Sequence, residues 1–349
     1  MVLVHAQLLQ LEIITPEVSY RQSLGTVMTG SIVIPRCSKC PRDALVHQAY
    51  SGRSLCGIHL EESMRKKFNR SLREQLYIPK VEQFTILVAI SGGKDSAVLL
   101  NSLHQSIGKI PHVRLVGGCV DEGIAGYRSP SLECARQLCI DLGIEFVTVS
   151  YPELGFEEMD KVVVTMEEIG EKKSPCSYCG VFRRQGINHL AKSVGAEDIA
   201  LGHNLDDMAQ TILMNVQNGE VERTLRLAPH TGTPKDGMIP RIVPLRWIPE
   251  QEIHLLALFN NLPIHHEECP HGGIALRFRH RENIAKMEAD IPGTRHSLLR
   301  FADGIKALHR GDTEFPINDP MPCERCGEMS SMKLCKSCEM KDTLGLISD

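Results

Sequence analysis

Cys37-x2-Cys40 and Cys56-x2-His59 stand fifteen residues apart near the start of the chain, and Cys323-x2-Cys326 and Cys335-x2-Cys338 stand eight apart near its end. Each set is two ligand-bearing knuckles, the pattern that closes a tetrahedral structural zinc site. Closed sites of this type add folding energy rather than catalysis, so two Zn2+ ions are expected to hold small ribbons that lack a core of their own. A third pair, Cys176-x2-Cys179, lies in Pro175-Cys176-Ser177-Tyr178-Cys179-Gly180 with no second pair nearby, and a helix is expected to follow it from Val181 to about Val194. Cys269, in Glu268-Cys269-Pro270, is the remaining cysteine in a turn-like setting. Three thiolates can hold three irons of a 4Fe-4S cluster and leave the fourth open to exogenous sulfur. A redox disulfide with a persulfide carrier, or a structural hairpin, uses the same spacing, which leaves the three readings open. Cys119, Cys134 and Cys139 fall in apolar stretches and read as buried small hydrophobes.

Ser91-Gly92-Gly93-Lys94-Asp95-Ser96 directly follows the apolar run Thr85–Ile90 and directly precedes Ala97-Val98-Leu99-Leu100. That order reads as buried strand, tight glycine turn and helix start. Adjacent glycines let backbone approach a ligand, the helix N-terminus suits phosphate, and Lys94 adds a point charge. The stretch is not a Walker A loop, which needs G-x-x-x-x-G-K-[ST]. It resembles the pyrophosphate loop of ATP pyrophosphatases, which cleave ATP between the α and β phosphates and adenylate a substrate oxygen. Further on, Leu205-Asp206-Asp207 opens another helix. Two acids there either complement the helix dipole or hold Mg2+ beside the nucleotide.

The elements that must position these groups follow a clear rhythm. Apolar strand-like runs at Ile86–Ile90, Val113–Val120, Glu145–Ser150 and Asp198–Leu201 alternate with helical patterns at about 95–107, 130–142, 181–194 and 205–217. The fold class this predicts is α/β, a parallel sheet with helices on both faces. Ligands of such folds bind at the carboxyl ends of the strands. There the chain places Ser91–Ser96, Asp121-Glu122-Gly123 and Gly202-His203-Asn204, so nucleotide contacts are expected at Ala89, Ser91, Gly92, Gly93, Lys94, Asp95, Ser96, Asp121, Gly202 and His203. The stretch 218–270 reads as a loop-rich return with one helix near 250–261.

Composition bounds the function. The 349 residues are 42% hydrophobic, enough for one large core plus satellites, and the net charge of −4 excludes a uniformly basic nucleic-acid binder. Locally the balance differs: residues 31–80 hold ten Lys/Arg against four Asp/Glu, and residues 271–310 hold eight against four, and both stretches suit a phosphate backbone. No apolar run reaches the roughly 18 residues of a membrane span, and the first residues lack a basic n-region followed by a long apolar h-region, so no secretory signal is expected. Thirteen cysteines in an expected cytoplasmic setting point to metal or redox chemistry.

Taken in order, these motifs resemble the tRNA 2-thiouridine synthetases of the TtuA/NcsA/TtcA group over about residues 35–340. The TtcA branch generally lacks both terminal zinc ribbons, so the TtuA/NcsA branch fits better. The resemblance implies an adenine nucleotide α-hydrolase-like core over 81–310, an N-terminal zinc ribbon and linker helix over 31–80, and a C-terminal ribbon over 311–349. It also implies ATP as cosubstrate, a homodimer, and a 4Fe-4S cluster held by Cys176, Cys179 and Cys269. Adenylation of the uridine C2 oxygen would be followed by attack of sulfur, with Asp206 or Asp207 orienting base or metal. The position four after the second cluster cysteine is a uridine-activating lysine in the TtuA branch. Here it is Arg183, which cannot act as a base, so its expected role is electrostatic. Cys176–Arg184 looks more like the wobble-uridine branch of archaea and eukaryotes than the T-loop branch. A ubiquitin-like sulfur carrier with a C-terminal thiocarboxylate, or free sulfide, is the implied donor. An ATP-dependent amide-forming ligase and a non-catalytic zinc-ribbon RNA-binding protein are the competing classes. Residues 1–30 fall outside the resemblance, as a short extension or as sequence ahead of a true start at Met28.

Overall fold

A computed structural model describes residues 34–230, 237–272, 276–311 and 320–346, and Pro35–Asp349 forms one body. The alternative start at Met28 lies outside the described residues. A short hairpin, β1 (Val46–Gln48) and β2 (Arg53–Leu55), leads into α1 (Gly57–Gln75), whose first turn carries His59. The central run then forms β3 (Phe84–Ala89), followed by α2 (Lys94–Ile107), β4 (Val113–Asp121), α3 (Arg128–Leu142) and β5 (Glu145–Ser150). After α4 (Met159–Glu168) and α5 (Pro175–Ser193) the chain returns to β6 (Asp198–Ala200) and α6 (Leu205–Gln217). A short α7 (Val221–Leu225), β7 (Arg241–Ile242) and α8 (Glu250–Phe259) follow. Helices α9 (Leu276–Asp290) and α10 (Thr294–Gly311) precede a second hairpin, β8 (Met321–Pro322) and β9 (Met329–Ser330), closed by α11 (Lys336–Thr343).

Strands β3 to β7 form one parallel sheet in the order β5-β4-β3-β6-β7. The chain steps outward from β3 to β5, then crosses back to lay β6 on the other side of β3. The topological switch point therefore lies between β3 and β6, where open α/β sheets bind ligands. Both faces are covered, which is why β3 reads as an unbroken apolar run: Ile86, Leu87 and Val88 are all fully buried. Each such side chain contributes about 1.5–3 kcal/mol by leaving water. Val116 and Val120 of β4 face Tyr178, Phe182, Ile187 and Leu190 of α5, whereas Gly117, on the opposite side, lies against Cys139 of α3.

The parallel sheet with helices on both faces is as expected, and the strands agree within two residues at each end. The cysteine helix is a difference. α5 begins at Pro175, so Cys176 and Cys179 lie inside its first turns rather than ahead of it. Pro175 suits the first helical position, where no amide partner is required, and Gly180 is tolerated within the helix. The C-terminal ribbon also joins the main core, because Met340 and Leu344 pack in the same cluster as Tyr178 and Cys179 of α5. Lys341 reinforces that contact from α11, donating to the Leu154 carbonyl and lying 4.1 Å from the centre of the Phe156 ring.

Candidate active site

The loop after β3 is built around Gly92, whose φ is +84° and whose added Cβ would lie 1.9 Å from the Ser131 carbonyl oxygen of α3. Only glycine meets both conditions. The loop is pinned from two sides: Gly92 C=O accepts from the His265 amide at 2.8 Å, and Ser91 C=O accepts from Arg128 Nη1 at 3.0 Å. Ser96 Oγ accepts the Ser91 amide at 3.1 Å and donates to Gly93 C=O at 2.9 Å, closing the turn on itself. Gly93 is the N-cap of α2 and brings no side chain to that helix's first amides, which leaves them to face an anion. Gly202, at the end of β6, must also be small, since its added Cβ would meet the Ser96 amide nitrogen at 3.2 Å. Ala89 ends β3, and His203 stands exposed beside Gly202. Asp121 closes the end of β4 by accepting the Gly123 amide at 3.0 Å.

Lys94 reaches Asp95 at 3.0 Å and Glu250 at 2.8 Å. Burial pulls the ammonium pKa down, but the two carboxylates outweigh it and hold the group above its ordinary value. Burial pushes the Asp95 carboxyl up, against Lys94 and the Asn204 amide that donates to it at 2.9 Å. Both acids of the next helix are engaged in structure. Asp207 forms a capping box with Asn204 at the start of α6. Asp206 accepts the Glu250 amide at 2.8 Å and pairs with Arg295 at 2.6 Å, tying α6, α8 and α10 together.

About the cysteines, α5 presents Cys176 exposed and Cys179 buried one turn later, and Cys269 packs against the same core from the loop beyond α8. Cys176 Sγ lies 3.7 Å from the His271 carbonyl oxygen. Cys179 Sγ receives Arg183 Nη2 at 3.3 Å and the Tyr151 hydroxyl at 3.3 Å. Burial pushes the Cys269 thiol up, and negative charge on Cys179 and Cys176 adds to it, so the three sulfurs share one electrostatic neighbourhood. None is joined in a disulfide. They are not gathered within the 4.8 Å that encloses each knuckle set. Three separate thiols in one neighbourhood are a donor set for a multi-iron group, in which each thiolate takes its own iron.

Each knuckle set does converge for one ion. The ligand atoms of Cys37, Cys40, Cys56 and His59 lie within 4.8 Å of one another, as do those of Cys323, Cys326, Cys335 and Cys338. In the first, His59 Nδ1 sits 3.3 Å from Cys37 Sγ and 3.4 Å from Cys56 Sγ. Burial raises the Cys37 thiol, yet the amides of Cys56 and Lys39 overcome this and bring it to about 6. Cys323 is held at about 6 in the same manner, burial being outweighed by the amides of Cys326, Cys335 and Arg325. One thiol of each knuckle thus favours the thiolate a metal requires, whereas burial and the neighbouring sulfurs push Cys335 and Cys338 of the second set up.

Sequence reasoning placed Glu122 and Asn204 at the ligand-binding edge without their side-chain partners, and missed the other groups that join these pieces: Arg128, Glu250 and Arg295. Glu122 is fully buried, with Oε1 2.7 Å from Arg183 Nε and Oε2 2.7 Å from Arg128 Nε. An isolated Arg or Glu in a sequence reads as surface, and only long-range packing reveals a buried pair. Glu250 alone had a local signal, as the acid after Pro249 at a helix start.

Comparison with known proteins agrees with this geometry. A family model described as a PP-loop domain matches residues 60–269, and one described as the N-terminal LIM domain of the 2-thiouridine synthetase TtuA matches residues 36–61. The chain is 37% identical over 325 residues to the tRNA 2-thiolation protein NcsA of Haloferax volcanii, covering 88% of this chain and 98% of that one. It is 38% identical over 260 residues to the cytoplasmic tRNA 2-thiolation protein 1 of Chlamydomonas reinhardtii, covering 74% and 71%. Its fold matches the solved U34-tRNA thiolase NcsA of Methanococcus maripaludis, described with its 4Fe-4S cluster, at a TM-score of 0.74 and 31% identity, over 91% of this chain and 99% of that one. A pyrophosphate-type loop at the switch point, three neighbouring cysteines and two four-ligand knuckles accompany that likeness, and the chain belongs to the PP-loop family of tRNA 2-thiolation proteins.

Proposed function

We propose that the protein replaces the C2 oxygen of a tRNA uridine, at the wobble position, with sulfur in an ATP-dependent reaction. The observation that carries this reading is the joint placement of the Ser91–Ser96 loop and the Cys176, Cys179 and Cys269 triad on one body, bridged by Arg128, Glu122 and Arg183. ATP lies along Ser91–Ser96, with Ala89, Asp121, Gly202 and His203 lining the nucleotide. The α2 amides and Lys94 receive its phosphates, Lys94 exchanging part of its contact with Asp95 and Glu250 for phosphate oxygen. Asp207 or Asp206 is the carboxylate offered to Mg2+, exchanging part of its contact with Asn204 or Arg295 for the ion. The uridine C2 oxygen attacks the α-phosphorus, an O–P bond forms, and pyrophosphate departs with the bridging oxygen. A poor leaving oxygen has then become AMP. Sulfur adds at C2, the C2–O bond breaks, and AMP leaves.

Cys176, Cys179 and Cys269 are the residues that would hold a 4Fe-4S cluster, which supplies an iron position open to the incoming sulfur. Arg183, permanently charged beside Cys179, offsets negative charge as sulfur approaches. The two knuckle sets take structural Zn2+. Exposed Arg65, Lys66, Arg70 and Arg73 of α1, with Arg279, Arg281, Lys286 and Arg300 of α9 and α10, suit the tRNA backbone. A homodimer, a ubiquitin-like carrier or free sulfide as donor, and a cytoplasmic location complete the reading, with ribbon, catalytic and ribbon modules over 31–80, 81–310 and 311–349. The names of the relatives and the Cys176–Arg184 pattern favour the wobble position. Among the described residues no helix is long and apolar enough to cross a membrane.

The test is an anaerobic incubation of reconstituted protein with ATP, Mg2+, sulfide and unmodified tRNA, followed by mass spectrometry of position-mapped fragments. New 2-thiouridine at the wobble position, lost in Cys176→Ala, is the expected result. Thiolation confined to the T-loop overturns the target. AMP release coupled only to ammonia and a small carboxylate overturns the reaction.

A further inference from the structure

Four contacts between five groups of alternating character run unbroken from the nucleotide loop to the cysteine triad. The Ser91 carbonyl accepts from Arg128 Nη1 at 3.0 Å, Arg128 Nε lies 2.7 Å from Glu122 Oε2, Glu122 Oε1 lies 2.7 Å from Arg183 Nε, and Arg183 Nη2 lies 3.3 Å from Cys179 Sγ. The Oε2 contact is ionic rather than a directed hydrogen bond. Glu122 is 1% exposed and Arg128 4%, while Arg183 is 47% exposed at its side chain. Arg128 is anchored further by the Val120 carbonyl at 2.5 Å and by Ser131 Oγ at 3.1 Å. The buried carboxylate, clamped by Arg128 on one side, holds Nε of the solvent-facing Arg183 on the other and so sets the direction of its Nη2. That direction is toward the Cys179 sulfur.

We infer that Glu122 is a positioning residue for sulfur transfer, acting through Arg183 to fix a cation on Cys179 and mechanically joining that cation to the nucleotide loop through Arg128. The inference rests on the thiolation reading above. Without Glu122 the two guanidiniums face each other uncompensated, and Arg183, being exposed, swings to water. The sulfur end then loses a fixed positive charge, which stabilises the more oxidised, less negative state of whatever the thiolates hold.

The experiment is a double-mutant cycle on the anaerobically reconstituted holoprotein with Glu122→Gln, Arg183→Gln and the pair, reading 2-thiouridine formation and, without tRNA, the midpoint potential of the bound cluster. Each single variant is expected to lose thiolation at least about tenfold and to move the potential to more negative values, and the double variant to be no worse than Arg183→Gln, because the two act as a unit. Multiplying losses in the pair, or a Glu122→Gln protein with unchanged rate and potential, overturns the inference. If Glu122→Gln does not fold, Glu122→Asp, which withdraws the same charge by one methylene, takes its place with the same reading. A wild-type protein that forms no 2-thiouridine sinks the thiolation reading, whereas the potential of the variants still decides the positioning role.

Discussion

In the proposed reaction Lys94 is the side-chain cation that meets the nucleotide phosphates. Its two carboxylate partners keep it oriented along the loop before any phosphate arrives. Lys94→Ala is therefore expected to lower kcat/KM for ATP by about a hundredfold or more, with the fold intact by circular dichroism. A second residue gives a pH signature. Burial, then the neighbouring Glu197 charge, pushes the Asp198 carboxyl from 3.8 up to about 7. The folded chain thus holds that proton more tightly than the unfolded chain, so the stabilisation is complete below about pH 4 and is lost as pH rises through 7. Asp198→Asn should raise the stability at pH 8 by about 1–2 kcal/mol, after discounting for solvent, and the gain should shrink toward pH 4 in a denaturant titration.

At the scale of elements, the strand–loop–helix unit β3–α2 was legible almost to the residue, because its signal is local: an apolar run, two glycines and a helix start. The α3 contact that makes Gly92 indispensable was not, since Ser131 lies far along the chain. Gly92→Ala is expected to cost about 2–4 kcal/mol through left-handed strain and the clash with Ser131, and to weaken ATP binding by calorimetry. A variant binding ATP like wild type would refute the close approach. The start of α5 was misplaced for a related reason. Its Cys-x2-Cys spacing reads as a knuckle turn, and the same spacing also stacks two thiols on one face of a helix.

The whole molecule couples its distant ends. α11 closes the second knuckle and packs Met340 and Leu344 onto the face of α5 that carries Tyr178 and Cys179. Removing the Zn2+ proposed for Cys323, Cys326, Cys335 and Cys338, or substituting Cys335→Ser, is expected to speed amide exchange across Pro175–Ser193 at least about tenfold, equivalent to 1.4 kcal/mol. Exchange confined to residues beyond 320 would show the ribbon to be energetically separate. At the other end, Tyr50 of the first ribbon and Lys67 of α1 both engage Glu252 of α8, so the first knuckle leans on the same body. If α1, α9 and α10 meet tRNA, reversing Arg70 and Arg73 to Glu should weaken tRNA binding and flatten its salt dependence by about two phosphate contacts, leaving ATP affinity unchanged.

By itself the sequence determined which chemistries are present: a phosphate loop, two four-ligand knuckles and three further cysteines, together with the α/β alternation that carries them. Those signals survive in one dimension because each depends on residues a few positions apart. Only the tertiary structure decided how they meet. The sheet order places β6 beside β3 and so creates the switch point, and it buries Glu122 between two arginines that lie 55 positions apart in the chain, Arg128 and Arg183. It also sets Glu250 against Lys94 across a separation of 156 residues. Charges become informative only when burial strips them of water, and burial is a property of the folded body rather than of any local stretch.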